Sequence, residues 1–94
     1  MAIVVTAEVS GLTEEQVRQI PGMMERLGPQ LQQSKGFIAH ASGLIPGGFR
    51  AVEIWQSHED WQRWFDTTVR TSREAGALPD SERQFFEAPF VFVA

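Results

Sequence analysis

The closing segment of the chain, RQFFEAPFVFV at residues 83–93, constrains the fold more than any other stretch. Apolar side chains occupy both alternating sets of positions: Phe85, Val91 and Val93 in one set, and Phe86, Phe90 and Phe92 in the other. An antiparallel strand with one face in water alternates apolar and polar residues instead. We therefore predict a final strand that is covered on both faces, one of them by a partner surface.

Three further strands precede this segment. Residues 2–9, AIVVTAEV, are rich in β-branched side chains, and residues 36–43 and 49–56 form two more strands joined by LIPGG. The proline and glycines of that junction predict a tight antiparallel hairpin. A two- or four-residue loop sets His40 opposite Glu53, whereas a three-residue loop with a bulge sets His40 opposite Ile54.

Two helices separate the strands. Thr13 and Gln16 have the spacing of a capping box, and an apolar stripe at spacings of three and four follows. Because Pro21 and Pro29 interrupt this stripe, we expect a kinked or segmented helix. Ser57 caps a second helix, which Gly76 ends.

The resulting order, βαββαβ, spans residues 1–94 as a single domain. It predicts an α+β, ferredoxin-like fold, in which a four-stranded antiparallel sheet carries both helices on one face. The opposite face of such a sheet needs a cover, which agrees with the prediction for the closing strand.

Composition narrows the classes of function. The chain has no cysteine, which excludes disulfides and thiolate zinc sites and fits a cytoplasmic location. A net charge of −4 without a basic block argues against a nucleic-acid partner. No apolar run approaches the roughly 18 residues of a membrane span, so no membrane partner is expected.

One helix face holds most of the large aromatics. Trp61, Trp64 and Phe65 lie at offsets of 0, 3 and 4, which places them on one side of the second helix. We predict Trp61 and Phe65 to be core residues. Trp64, together with Trp55 at the strand end, is predicted to border a cleft between helix and sheet.

The candidate base of that cleft is His40, which lies between two alanines that leave room for a ligand. An imidazole can take a phenolic proton near neutral pH. Glu53 is the second catalytic candidate, and Arg50 is a candidate for steering an anionic substrate. His58, at the start of the second helix, is interpreted as a solvated first-turn residue. Two histidines far apart in sequence predict no metal site.

The sequence resembles the dimeric α/β-barrel superfamily, and within it the antibiotic-biosynthesis-monooxygenase-like domains. The resemblance covers residues 2–93 and rests on "GF" followed by His40, a glycine turn, the segment VEIWQSHEDWQRWF and the closing strand. It implies a homodimer whose sheets pair face to face into a barrel with the helices outside. It also implies an active site between helices and sheet.

Two chemistries follow from the resemblance. Quinone-forming members oxidise polyketide phenols with dioxygen and without a cofactor, which implies a small aromatic substrate. Haem-degrading members use a strand-one asparagine, a helix-two tryptophan and an iron-ligating histidine; Trp64 matches the tryptophan, but the chain lacks the other two. The expected function is therefore a cofactor-independent monooxygenase-like protein, with a non-catalytic small-molecule-binding dimer of the same fold as the alternative.

Overall fold

The computed structural model describes residues 1–70 and 81–94, and its elements follow the predicted order. They are β1 Ala2–Val9, α1 Glu14–Gln32, β2 Phe37–Ile45, β3 Gly48–Trp55, α2 His58–Trp64 and β4 Glu82–Ala88, with a π-helical segment, Phe65–Val69, directly after α2. The predicted helix stop at Gly76 lies outside the described residues.

The strands form one four-stranded sheet in the order β2-β3-β1-β4, and every neighbouring pair is antiparallel. This order is that of a ferredoxin-like fold. Alternate residues of β1 (Ile3, Val5 and Val9) are buried against the helices, as their period of two predicts. The predicted α+β fold class is confirmed.

The hairpin between β2 and β3 settles the register that the sequence left open. Ile45 lies opposite Gly48, so the loop has two residues, and its second residue, Gly47, has a φ of 70°. A Cβ atom on Gly48 would lie 1.8 Å from the Val9 carbonyl oxygen, so only glycine fits there. With this loop His40 lies opposite Glu53, and the alternative opposite Ile54 is wrong.

Helix α1 begins with the predicted capping box. The Thr13 hydroxyl accepts from the Gln16 backbone N–H at 3.1 Å, and the Gln16 side chain accepts from the Thr13 N–H at 2.9 Å. The helix then runs without a break through Pro21 and Pro29, so of the two expected forms, kinked or segmented, the segmented one is wrong. Tertiary packing supports the continuous helix, because Ile20 and Leu31 of its apolar stripe are buried.

The last strand is shorter than predicted, because β4 ends at Ala88 rather than Val93. Ala88 pairs with Ala2, the first residue of β1, so β1 has no further residues to pair with the segment beyond. Pro89 follows, and its lack of an N–H also disfavours continuation of a ladder. The C-terminal segment, residues 89–94, therefore lies outside the sheet.

The core fills the space between the helices and one sheet face. It is a cluster of aliphatic and aromatic side chains: Ile3, Val5, Leu31, Trp55, Trp61, Trp64 and Phe65. Trp55 is fully buried, and the Trp61 ring stacks on Phe65 with ring centroids 5.1 Å apart. Trp61 and Phe65 are core residues as predicted.

Candidate active site

A cleft lies between the two helices and the helix-facing side of the sheet. Its volume is about 90 Å³, and its mouth is open to solvent. Most lining side chains are apolar: they include Val5, Val9, Met23, Met24, Leu27, Leu31, Trp61, Trp64, Phe65 and Val69. A largely apolar cleft with a few polar groups is the usual form of a small-molecule site.

The polar wall of the cleft is a histidine–glutamate pair. His40 on β2 and Glu53 on β3 lie directly opposite each other, and His40 Nδ1 is 2.8 Å from Glu53 Oε2. Their side chains are only 16% and 14% exposed. Partial burial strengthens a charge-assisted hydrogen bond relative to one in water.

Two further hydrogen bonds extend this pair in both directions. The indole N–H of Trp55 donates to Glu53 Oε1 at 3.0 Å, and His40 Nε2 is 3.0 Å from the Ser42 hydroxyl. An ionised carboxylate only accepts hydrogen bonds, so Nδ1 carries the proton that faces Glu53. In the neutral ring with this tautomer Nε2 is the acceptor, and it accepts from the Ser42 hydroxyl.

The aromatic wall of the cleft comes from the second helical region. Trp61 and Trp64 are each 6% exposed, and Phe65 is 9% exposed. The Trp64 ring lies 6.4 Å from that of Trp55, and the Arg83 guanidinium of β4 lies 4.5 Å above the Phe65 ring. A cation over an aromatic face is attracted by the negative potential of the ring. Arg83 therefore brings positive charge to the lining of the cleft.

Comparison with known proteins gives a clear result only at the level of structure. No model of a protein family matches the sequence, and no curated protein matches it. Among solved structures, a protein of unknown function from Nitrosomonas europaea is 10% identical, with 99% of this chain and 94% of the other covered and a TM-score of 0.81.

Two other solved structures are described as oxygenases. SnoaB, a cofactor-independent oxygenase from Streptomyces nogalater, is 17% identical, with 96% and 93% of the two chains covered and a TM-score of 0.65. A candidate antibiotic biosynthesis monooxygenase from Deinococcus radiodurans is 13% identical, with 100% and 98% covered and a TM-score of 0.71. The chain has the same fold as these three proteins. At these identities the likeness concerns the fold.

Within this fold the structure brings three of the predicted site residues together. His40, Glu53 and Trp64 all line the cleft. Trp55, which was predicted to contact substrate, is fully buried behind Glu53 and is not among the lining residues. Its N–H reaches the cleft only through the Glu53 carboxylate.

Arg50 and His58 lie elsewhere. On β3 the Arg50 side chain lies on the opposite face of the sheet from Glu53. On this helix-free face Arg50 Nη2 lies 2.8 Å from Glu8 Oε1. His58 is exposed at the start of α2, where its ring lies 5.5 Å from that of Trp61 and 5.1 Å from that of Phe85.

Two polar residues of this region were not identified from the sequence, although each had a usable signal. Arg83 lies two residues before Phe85 in β4, so the strand period places both side chains on the helix-facing side. Ser42 stands two residues after His40 in β2 and shares its face for the same reason. Alternation within the strand, applied to polar as well as apolar residues, identifies both.

Residues 1–70 and 81–94 hold neither a candidate metal-ligand cluster nor a candidate membrane-spanning helix. This part of the chain contains no group of three or more histidine, cysteine or acidic residues placed to hold a metal ion. It also contains no helix with the length and apolar character needed to cross a bilayer.

Proposed function

We propose that the protein is a cofactor-independent monooxygenase-like enzyme that acts on a small aromatic molecule of the polyketide type. The observation that carries this proposal is the His40–Glu53 pair on the wall of an otherwise apolar, tryptophan-lined cleft. A base in a largely dry aromatic cleft is what deprotonation of a phenol requires.

The proposed reaction begins with proton transfer to His40. Nε2 takes the phenolic proton in place of its hydrogen bond to Ser42, and Glu53 stabilises the imidazolium through Nδ1–H. The phenolate supplies the electrons that reduce dioxygen. In the balanced reaction one oxygen atom becomes the second carbonyl of the quinone at a ring carbon that loses its hydrogen, and the other oxygen atom leaves as water with that hydrogen and the phenolic proton returned by His40.

Other lining groups suit the substrate of this reaction. The Trp64 and Trp61 rings offer flat apolar surfaces to a planar ring system. Arg83 adds a cation that favours the phenolate over the neutral phenol. The Trp55 N–H holds the Glu53 carboxylate in place, so that Nε2 of His40 is kept as the acceptor.

A non-catalytic binding protein is the second candidate, and one observation favours it. Both ring nitrogens of His40 are already hydrogen-bonded within the chain, to Glu53 and to Ser42. A histidine satisfied in this way can serve as a fixed wall of a binding cleft without transferring a proton.

We also propose that the protein acts as a homodimer formed through the helix-free side of the sheet. This surface, called the open sheet face, carries Val4, Val52, Ile54 and Phe86. Val52 is 40% exposed and Phe86 57% exposed. Phe90 and Phe92 of the C-terminal segment are also exposed. Their burial against a second copy would cover the apolar surface that a lone chain leaves in water. The cytoplasmic location stays a prediction.

Anthrone, whose phenolic tautomer is planar, is a suitable probe of the proposed activity. Binding is followed by tryptophan fluorescence, and turnover by oxygen uptake and the appearance of anthraquinone. We expect one dioxygen consumed per quinone formed. His40→Ala should abolish turnover and Trp64→Ala should weaken binding, while His58→Ala, which changes the other histidine of the chain, serves as the matched control.

The outcomes separate the two candidates. Saturable binding without oxygen uptake, weakened by Trp64→Ala, would support the binding protein over the enzyme. Binding and turnover that are insensitive to both His40→Ala and Trp64→Ala would show that the cleft is not the site.

A further inference from the structure

Three polar side chains at the mouth of the cleft form a line, and the proposed oxidation leaves one of them, Ser42, without a role. The Ser42 hydroxyl lies 3.0 Å from His40 Nε2, and His40 Nδ1 lies 2.8 Å from Glu53 Oε2. Glu53 is held in turn by the Trp55 N–H at 3.0 Å. A hydroxyl, an imidazole and a carboxylate linked in this order have the roles of a nucleophile, a general base and an orienting group.

We propose that Ser42 is an activated nucleophile and that this mouth of the cleft hydrolyses aryl esters. Ser42 is exposed and lies on β2, a strand at the edge of the sheet, so an ester carbonyl can approach its oxygen. His40, the base in this arrangement, also lines the cleft, so the two parts of the site are contiguous. The inference concerns a different reaction and does not depend on the proposed oxidation.

The reaction proceeds in two balanced steps. Ser42 Oγ attacks the ester carbonyl while His40 Nε2 takes the hydroxyl proton. The bond between the carbonyl carbon and the aryloxy oxygen then breaks, and His40 returns the proton to the departing phenolate. Water then attacks the acyl-serine with His40 as base, which releases the carboxylic acid and restores Ser42. Water is the only co-reactant, and no oxidation state changes.

The cleft selects the aryl side of such an ester. A phenolate is a better leaving group than an alkoxide, so its departure needs less help from the protein. The apolar rings of Trp61, Trp64 and Phe65 lie on the same side of the sheet as Ser42 and suit an aromatic leaving group. The acyl part stays at the exposed strand edge, where a small acyl group meets little obstruction.

The first test measures release of para-nitrophenolate from para-nitrophenyl acetate by the full chain. Positioned general bases contribute about 10²–10⁴-fold to rate, so we expect Ser42→Ala and His40→Ala each to lower the rate at least about tenfold. The double variant should be little slower than either single one, because the two residues act as a unit. Ser34→Ala and His58→Ala are the matched controls and should keep the full rate.

The second test uses the absence of cysteine from the sequence. Ser42→Cys introduces a single thiol beside His40, and Ser34→Cys introduces one at the end of α1, where the serine hydroxyl donates to the Gln30 carbonyl. We expect iodoacetamide to alkylate the cysteine at position 42 at least about tenfold faster than that at position 34. Adding His40→Ala should remove this difference.

Three results would overturn the inference. Ester hydrolysis by Ser42→Ala at the full rate would exclude Ser42 as nucleophile, even if His40→Ala were inactive. Equal alkylation rates at positions 42 and 34 would show that His40 does not activate the position. A sulfonyl fluoride adduct that mass spectrometry places on a residue other than Ser42 would assign the nucleophile elsewhere.

Discussion

The Asp60 carboxylate occupies the position that a Cβ atom on Gly36 would take. A Cβ built on Gly36 would lie 2.1 Å from Asp60 Oδ2, and Gly36 has a φ of 82°. The Gly36 carbonyl also accepts a hydrogen bond from the Gln56 N–H at 2.7 Å. The start of β2 is therefore fixed against the start of α2, and β2 is the strand that carries His40.

Gly36→Ala should lower the free energy of unfolding by about 1–3 kcal/mol, since alanine is strained at positive φ and its methyl group displaces Asp60. Urea denaturation provides the measurement. Gly22→Ala is the control: the new methyl group would lie 3.8 Å from Arg26 Nη1, an ordinary van der Waals contact, and the position is helical. That variant should be about 0.5–1 kcal/mol more stable than the parent chain. Equal effects at the two glycines would contradict the contact between Gly36 and Asp60.

Asp60 should make stability depend on acid pH. Hydrogen bonds from Ser57 and Arg63 lower the pKa of Asp60 below its ordinary value of 3.8. A carboxylate with a lowered folded-state pKa contributes stability that is fully present above the unfolded-state pKa and lost as pH falls through the folded-state pKa. The Tm difference between the parent chain and Asp60→Asn should therefore be constant from neutral pH to about pH 5 and shrink below about pH 4.

Asp66→Asn is the control for this effect. Asp66 pairs with Arg70 at 2.9 Å, but the two side chains are 41% and 51% exposed. Exposed ion pairs contribute little to stability, so this substitution should change Tm only slightly at any pH. A Tm difference for Asp60→Asn that persists unchanged into strong acid would show that the charge of Asp60 is not its source.

Trp61→Ala should cost about 3–5 kcal/mol, as truncation of a large buried aromatic does. The ring packs on Phe65, and its centroid lies 4.8 Å from that of Phe85. Chemical denaturation measures the loss, with Leu44→Ala as the control because Leu44 is 55% exposed. That control should stay within about 0.5 kcal/mol of the parent chain. A loss below about 1 kcal/mol for Trp61→Ala would contradict its place in the core.

Val52→Glu should separate the proposed dimer, because it places a charge in the middle of the open sheet face. Light scattering should give roughly twice 10.6 kDa for the parent chain and about 10.6 kDa for the variant. Leu44→Glu is the control, because it introduces the same charge in place of an exposed apolar residue on the helix-facing side of the sheet. This variant should remain dimeric. A folded parent chain that stays monomeric over a wide concentration range would exclude the dimer.

The sequence predicts well whatever depends on local chemistry. The Thr13–Gln16 capping box, the Ser57 cap and the buried set of β1 follow from short-range rules, and all three are present. Pro89 marks the end of β4 in the sequence, but the end also depends on where β1 begins, which the residues of β4 do not show. A strand stops when its neighbour offers no further partner, whatever its own β propensity.

The candidate site residues show the same difference between features that local chemistry predicts and features that depend on the rest of the fold. His40 and Glu53 could be named from residue type, but their contact depends on the hairpin loop, and three loop lengths fitted the sequence. Naming Arg50 as the residue that steers an anionic substrate ignored strand alternation, which places Arg50 on the helix-free face. Trp55 was expected at the surface of the cleft because it ends a strand, yet Phe37 and Trp64 pack against it from both sides.

The π-helical segment has a consequence for how the chain tolerates insertion and deletion. The Arg70 N–H donates to the Phe65 carbonyl, five residues earlier, so this turn holds one residue more than an α-helical turn. Deleting one residue between them would restore α-helical spacing and rotate Val69, which lines the cleft, by about 100° relative to the aromatics of α2. The sheet with His40 and Glu53 would be untouched. Deletion of a single codon here would therefore change one side of the cleft while keeping the His40–Glu53 pair. Such a change is one evolutionary step by which the cleft can come to bind a different ligand.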